Sequence, residues 1–265
     1  MNTRLFGWIL LTALSVTMLA NAQDMTAREI IKKGQDAVQL SGSEAVMTLT
    51  IIDDKGRERV RKIAQVTKVY ENGDVEKRLV RFLEPADVKG TGLLTVDYEN
   101  KDDDMWLYMP ALRKTRRIVS TEKAKNFMGS EFTYADMTPP NLDDFTYNPL
   151  ADAEVDGESC YVIEMIPVND EVADEQGFSK RTVYSSKNDL VLRKAEYYDF
   201  YGDLLKVLTI EDVKLLDADK EKYRPMLLRM DNVQNGRASV MKVEQIQINP
   251  NIQDEYFTTR YLERE

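Results

Sequence analysis

The first regular pattern of apolar positions has the period of an α-helix and begins at residue 27. Thr26 and Glu29 stand at the spacing of a capping box, in which each side chain accepts a hydrogen bond from the other residue's backbone amide. Behind them, apolar and small residues recur at the i, i+3, i+4 spacing of one buried helical face. Gly42 is placed to end this helix, which must lie on an apolar surface. The residues of this face are Ala27, Ile30, Ile31, Gly34, Ala37 and Val38.

Most of the chain after residue 44 alternates apolar and polar residues with the period of two that is typical of half-buried β-strands. Turn residues separate these runs, and Asn72-Gly73 is a strong hairpin signal. About a dozen strands at hairpin spacing, without helices alternating regularly between them, favour an antiparallel sheet or barrel over a parallel βαβ fold. The predicted strands cover residues 45–51, 60–70, 75–84, 93–98, 105–109, 113–119, 161–167, 180–185, 190–198, 204–213, 223–230 and 238–248.

Composition excludes several kinds of chemistry. The 265 residues include no histidine, so neither a Ser-His-Asp triad nor a histidine-ligated zinc site is available. A single cysteine, Cys160, excludes an intrachain disulfide and a cysteine-cluster metal site, and its apolar surroundings indicate a buried, inert thiol. With 46 acidic and 36 basic residues the net charge is −10, which disfavours binding to nucleic acid. We therefore expect neither a metal nor another cofactor.

Residues 1–22 have the pattern of a secretory signal peptide. Arg4 supplies the positive start, residues 5–19 form the apolar run, and Ala20-Asn21-Ala22 offers small residues for cleavage after Ala22. The run is shorter than the roughly 20 residues of a membrane-spanning helix, and no basic cluster follows it. No linker composition divides the remainder, so residues 23–265 are predicted to form a single exported domain.

The 126–150 segment interrupts the strand pattern. It is rich in aromatic residues, contains Pro139-Pro140 and Pro149, and has neither strand nor helix periodicity. Such a segment is either a long loop packed on the core or a lid over a cavity.

The block of residues 105–118 has large side chains on both faces of a predicted strand. Such a strand is buried on both faces, or is buried on one face and lines a cavity with the other. Four basic residues follow it in a strongly acidic chain: Arg113, Lys114, Arg116 and Arg117. They either pair locally with carboxylates or contact an anionic head group at the rim of an apolar cavity.

Catalytic motifs are weak. Residues 120–123 match the S-x-x-K pattern of serine-lysine acyl enzymes without its companion motifs. The aspartates of residues 102–104 lack the glycine and glutamate of a calcium-binding loop and are better explained by a solvated turn. A hydrolase without histidine would have to depend on Lys123 or on a specific carboxylate.

Three blocks of sequence resemble one known family. They are residues 81–94 (RFLEPADVKGTGLL), 104–114 (DMWLYMPALRK) and 127–136 (FMGSEFTYAD). In this order they resemble the outer-membrane lipoprotein-sorting proteins related to the periplasmic carrier LolA. The resemblance is sharp over residues 81–136, and the flanking strands agree with it in pattern.

This resemblance implies a fold and a role. The fold is an incomplete antiparallel β-barrel, a half barrel, that wraps helices and encloses an apolar cavity for acyl chains. The role is non-enzymatic transport of a lipid or lipoprotein across the periplasm toward the outer membrane. Members of the wider group are often associated with inner-membrane exporters, here of the RND type. The chain is longer than the lipoprotein carrier, so the predicted cargo is a lipoprotein or, instead, a lipid, a pigment or another apolar molecule.

We therefore predict a monomeric periplasmic carrier that contacts membranes transiently and does not bind nucleic acid. An adaptor subunit of an envelope transporter, with an exposed apolar patch and no enclosed cavity, is the alternative. The basic residues 113, 114, 116 and 117 would contact a head group. The predicted cavity walls are Leu94, Val96, Trp106 and Tyr108, and the predicted lid residues are Phe127, Met128, Phe132 and Tyr134.

Overall fold

The computed structural model describes residues 25–99, 101–248 and 251–264. The predicted signal peptide, residues 1–22, lies outside them. None of the helices in this part of the chain has the length and apolar character needed to cross a bilayer.

Helix α1, Ala27–Val38, begins with the predicted capping box. Thr26 Oγ1 accepts from the Glu29 amide at 3.2 Å, and the Glu29 carboxylate accepts from the Thr26 amide at 2.8 Å. Gly42 does not end this helix, contrary to the sequence prediction. The helix ends at Val38 because Gln39 adopts an extended backbone, and Gly42 is the first residue of β1, where it pairs with Lys68.

Within the part of the chain that the structure describes, fourteen antiparallel strands form one large open sheet, so the fold is mainly β. The prediction of hairpin-connected strands is confirmed for every run named above, with ends shifted by a few residues. The strands are β1 Gly42–Ile52, β2 Glu58–Tyr70, β3 Val75–Glu84, β4 Gly92–Tyr98, β5 Asp104–Met109, β6 Lys114–Arg117, β7 Phe145–Pro149, β8 Ala153–Val155, β9 Glu158–Pro167, β10 Lys180–Ser186, β11 Leu192–Tyr198, β12 Leu204–Asp217, β13 Lys222–Asn232 and β14 Arg237–Ile248.

β1 and β14 pair with each other in the middle of this sheet. On one side of β1, strands β2 to β6 follow in chain order to one edge. On the other side of β14, strands β13 to β9 follow in reverse order, and β7 forms the other edge. β8 also pairs with β9. The β1–β14 pairing joins the two halves of the sheet, and in it Ser43 lies opposite Ile248. Within the described residues β6 and β7 do not pair with each other, so the barrel is open.

Three further α-helices of the described residues were not predicted: α2 Ser120–Lys123, α3 Asp170–Gln176 and α4 Thr259–Leu262. The short strands β7 and β8 were not predicted either, and β7 shows that the 126–150 segment ends in a strand although its sequence does not alternate. α3 has a recognisable N-cap, since the Asn169 side chain accepts from the Val172 amide at 2.9 Å. α2 and α4 are single turns, too short to produce a period in the sequence.

Two apolar clusters cover opposite faces of the sheet. We call the face covered by α1 and the 126–150 segment the inner face, and it carries the larger cluster, including Met47, Leu49 and Ile51 of β1. The outer face of β3 to β5 is covered by residues 251–264, with Phe257 and Leu262 in the smaller cluster. Neighbouring residues of β4 and β5 therefore pack on different partners.

Candidate functional site

A cavity of about 340 Å³ lies on the inner face, between the sheet, α1 and the 126–150 segment. α1 contributes Ile31, Gly34 and Val38 to its wall, and the segment contributes Phe127 and residues 137–140. Strands from both halves of the sheet complete it. A cavity of this volume is within the range of small-molecule sites, which are mostly apolar with a few polar groups.

Four methionines give this cavity a deformable wall. Met47, Met137, Met165 and Met241 line it together with aliphatic residues of β10 and β12. Methionine has an unbranched, polarisable side chain that adapts to irregular apolar shapes. The lining can therefore accommodate flexible hydrocarbon without a single fixed pose.

Gly34 allows α1 to approach the turn between β10 and β11 at this cavity. A Cβ at residue 34 would lie 2.4 Å from the Leu190 carbonyl oxygen, a distance that real contacts do not reach. The helix can pack here only because residue 34 has no side chain. This contact fixes how closely α1 approaches Leu190 at the wall of the cavity.

The 126–150 segment is fastened to the sheet by basic side chains that donate to its backbone carbonyls. Arg61 Nη1 donates to the Met128 carbonyl at 2.5 Å, Lys206 Nζ to the Glu131 carbonyl at 2.9 Å, and Arg237 to the Gly129 carbonyl at 3.0 Å. Arg78 donates to the carbonyl of Met137. Residues 126–142 of the segment are thus firmly attached over the inner face, whereas residues 145–149 form β7 at the edge of the sheet.

Glu131 is the buried anchor of this segment, with only 1% of its surface exposed. Its carboxylate accepts from Asn232 Nδ2 at 2.9 Å and lies 3.1 Å from Arg237 Nε. Its backbone amide donates to Ser239 Oγ at 2.9 Å. The 127–136 block therefore contains a charge that ties the segment to the β13–β14 hairpin.

The predicted lid residues lie in this segment, but in different surroundings. Phe127 lines the cavity and packs between Phe82 and Tyr134, with ring centroids 5.8 and 5.6 Å apart. Phe132 and Tyr134 are buried in the core of the inner face, and Met128 packs partly buried against it.

The predicted wall residues Leu94, Trp106 and Tyr108 belong to the outer-face cluster, where they pack with the C-terminal residues 251–264. Val96 is two residues beyond Leu94 on β4 and therefore shares that face. The inner-face positions of the same two strands are Leu93, Met105 and Leu107. β5 is thus buried on both faces, which was one of the two readings of its sequence.

The predicted head-group residues lie at the β6 edge of the sheet and are not part of the described cavity wall. Arg116 pairs with Glu122 at 2.6 Å, and Arg117 pairs with Asp104. Arg113 and Lys114 are exposed on the turn before β6 and at its start. Local pairing therefore accounts for two of the four charges.

The 81–94 block attaches the C-terminal residues to the outer face. Arg81 donates to the carbonyls of Tyr261 and Leu262 at 2.9 and 3.2 Å. A positive charge therefore lies at the C-terminal end of α4, where the backbone carbonyls have no partner within the helix. Gly92 provides the space for this helix, since a Cβ there would lie 2.6 Å from Leu262 Cδ1.

Three arginines, Arg78, Arg181 and Arg224, also line the cavity, and the sequence analysis did not single them out. Each stands two residues before an inner-face apolar residue of its own strand, at Val80, Val183 and Met226. The alternation of the sequence alone thus places each guanidinium on the apolar face. This in-register position of a basic residue is the sequence feature from which the three arginines could have been predicted.

A second, polar cavity of about 210 Å³ adjoins the first and shares Arg78 and Arg224 with it. Asp97 lines this second cavity. Burial and the nearby Asp103 carboxylate raise the pKa of Asp97 to about 8, so this pair of acids holds a proton at neutral pH.

Comparisons with known proteins agree with this architecture. A crystal structure described as an outer membrane lipoprotein-sorting domain from Vibrio parahaemolyticus is 29% identical, covers 90% of this chain and 98% of its own, and has a TM-score of 0.82. A DUF1329 family protein from Desulfovibrio piger is 25% identical, with coverage of 89% and 97% and a TM-score of 0.81.

A LolA superfamily protein from Nitrosomonas europaea shares the fold at 21% identity, with coverage of 89% and 99% and a TM-score of 0.68. No protein with a curated description matches the sequence. A protein-family model with the description "Uncharacterized protein" matches residues 74–264. The chain therefore belongs to this family of uncharacterized proteins.

Proposed function

We propose that the protein is a periplasmic, non-enzymatic carrier that holds the acyl chains of a lipid or lipoprotein in the inner-face cavity. The observation that carries this proposal is the apolar, methionine-rich cavity of about 340 Å³ on a LolA-like fold. Burying hydrocarbon contributes about 0.8 kcal/mol per methylene, so a chain of several carbons is held without covalent chemistry.

Location in the periplasm accords with the name of the lipoprotein-sorting relative and with the predicted cleavage after Ala22. The adaptor alternative predicted an exposed apolar patch and no enclosed cavity. The presence of the cavity favours the carrier. Transport toward the outer membrane, transient membrane contact and association with an RND-type exporter remain predictions from the family resemblance.

The proposal is tested by filling the cavity. Leu208 lies on β12, is 7% exposed and lines the cavity, so Leu208→Trp replaces cavity space with an indole. Leu215 lies on the same strand but is 51% exposed, which makes Leu215→Trp the matched control. We expect the purified, delipidated protein to bind a neutral fluorescent probe, N-phenyl-1-naphthylamine, saturably and to release it to monopalmitin.

Leu208→Trp should weaken this binding at least tenfold, whereas Leu215→Trp should bind as the unchanged protein does. Circular dichroism confirms that both variants are folded. A folded protein without saturable binding, or equal binding by the two variants, would refute the carrier. An extrinsic probe is needed because Trp106 lies on the outer face, away from the cavity.

A further inference from the structure

The charges that face the apolar cavity are mainly positive, although the whole chain is acidic. Arg78, Arg181 and Arg224 come from three separate strands, and Asp136 is the acid among the described lining residues. The Asp136 carboxylate is already engaged by the backbone amide and hydroxyl of Thr133 at 2.7 and 2.8 Å. Arginine is rarely enclosed in apolar surroundings without a partner, so this excess requires an explanation.

Two of the three guanidiniums have internal partners. Arg78 lies 2.5 Å from the Glu76 carboxylate and also donates to the 126–150 segment. Arg181 is covered by the rings of Phe145 and Phe178, whose centroids are 5.3 and 5.8 Å from its guanidinium carbon. Such a ring face compensates part of a cation's desolvation.

Arg224 has no carboxylate within ion-pair distance among the described residues. The charges that act on it are Arg78, which repels it, and Glu76, which attracts it but is already bound by Arg78. Glu76 thus lies near two guanidiniums but forms an ion pair with Arg78. The Nε atoms of all three arginines are buried without a hydrogen-bond acceptor.

The Arg224 guanidinium nevertheless stays charged at neutral pH. Burial, and then the neighbouring Arg78, lower its pKa to about 10. A charge held in such surroundings is stabilised by a counter-anion, and the forked donors of arginine match the oxygens of carboxylates and phosphates. Arg224 lines both cavities.

We propose that Arg224, with Arg78, binds an anionic oxygen group, a phosphate or carboxylate, on the polar end of the acyl-chain ligand. The inference rests on the carrier function and specifies its ligand class as anionic amphiphiles. Both arginines line the apolar cavity and the polar cavity beside it, so they stand where the two meet. The chain of the ligand occupies the apolar cavity, and its charged group lies at this junction.

Two ligands that differ only in the charged group provide the test. 1-Palmitoyl lysophosphatidate and monopalmitin share the glycerol and the acyl chain, and the phosphate distinguishes them. Each is titrated below its micellar concentration against the delipidated protein carrying N-phenyl-1-naphthylamine. The unchanged protein should bind the lysophosphatidate at least tenfold more tightly than monopalmitin.

Arg224→Met should abolish this preference, so that the two ligands bind with affinities within about twofold of each other. Arg229→Met is the matched control, because Arg229 lies on the same strand and pairs with Asp231 at 2.6 Å outside the described cavity wall. It should keep the preference. Arg224→Lys retains the positive charge but not the forked pair of N–H donors, so it should keep only part of the preference. This variant provides a second measurement should the methionine variant fail to fold.

The outcomes separate this inference from the function on which it rests. If monopalmitin binds and the phosphate adds no affinity, or if Arg224→Met keeps the preference, the anionic site is refuted while the carrier stands. If neither ligand binds to folded protein, the carrier itself fails. Inorganic phosphate alone is the third arm, and phosphate binding as tight as that of the lysophosphatidate would identify a site for the free anion and overturn the lipid ligand.

Discussion

Glu131→Gln is expected to destabilise the protein strongly, because it removes the charge that anchors the 126–150 segment. The carboxylate is 1% exposed; its Oε2 accepts a hydrogen bond from Asn232 Nδ2, and its Oε1 lies at ion-pair distance, 3.1 Å, from Arg237 Nε. Glutamine has the same shape but only one acceptor oxygen. Its amide group therefore faces one of these two donors without forming a hydrogen bond.

The size of the effect follows from these contacts. Hydrogen bonds to charged groups contribute roughly 1.5–3 kcal/mol each, and breaking a buried ion pair costs about 3–5 kcal/mol. Arg237 is 34% exposed and regains water when its partner is lost, which lowers the cost. We therefore expect a loss of about 2–4 kcal/mol in the free energy of unfolding, or a Tm lower by about 5–15 °C.

Urea unfolding followed by circular dichroism measures this loss. Glu154→Gln is the matched control, because Glu154 is exposed on β8, and it should change stability by no more than about 0.5 kcal/mol. A double-mutant cycle with Arg237→Gln isolates the pair from the rest of the site. A loss below about 1 kcal/mol for Glu131→Gln would show that the carboxylate does not anchor the segment as described.

Two further changes test the helix contact and the paired acids. Gly34→Ala places a Cβ against the Leu190 carbonyl and should lower the free energy of unfolding, measured by thermal denaturation, by about 1–3 kcal/mol. Lys33 is exposed on the same helix, so Lys33→Ala should change it very little. Equal stability of the two variants would contradict the close contact. Because the pKa of Asp97 is raised to about 8, the folded state binds a proton that the unfolded state releases, and the free energy of unfolding should fall as the pH rises from about 4 to 8. Asp97→Asn should flatten this fall in urea titrations at pH 5 and 8.5, and an unchanged slope would show that another group causes it.

The local elements could be predicted from the sequence because their causes are local. The capping box at Thr26 and the alternation of β1 to β5 depend on residues within one helix turn or one hairpin. The pairing of Ser43 with Ile248 depends on contacts across most of the chain, and no short pattern encodes it. The open form of the sheet was therefore predicted from the family resemblance and not from the periodicity of the sequence.

The candidate site was harder to predict for a related reason. Alternation shows that Leu93 and Leu94 face opposite ways, but when both faces of a strand are buried it does not show which face borders the cavity. Phe127 is predicted as a lid residue because it lies in the aromatic-rich 126–150 segment, and in the structure it lines the cavity. The arginines at 78, 181 and 224 come together only through the sheet, across about 150 residues of sequence, so their common charge was not visible as a motif.

The basic strand β6 has a consequence for the solution behaviour of the open barrel. A sheet that does not close leaves strand edges whose backbone groups can pair with another copy and begin aggregation. β6 is such an edge, and Arg113 and Lys114, which are exposed, lie just before it and at its start. Two β6 edges brought together would place like charges side by side, and such charged edges are how sheet proteins prevent unwanted pairing. At the opposite edge, β7 ends in Pro149, which has no amide hydrogen to donate. The protein can thus keep its barrel open without joining its neighbours edge to edge.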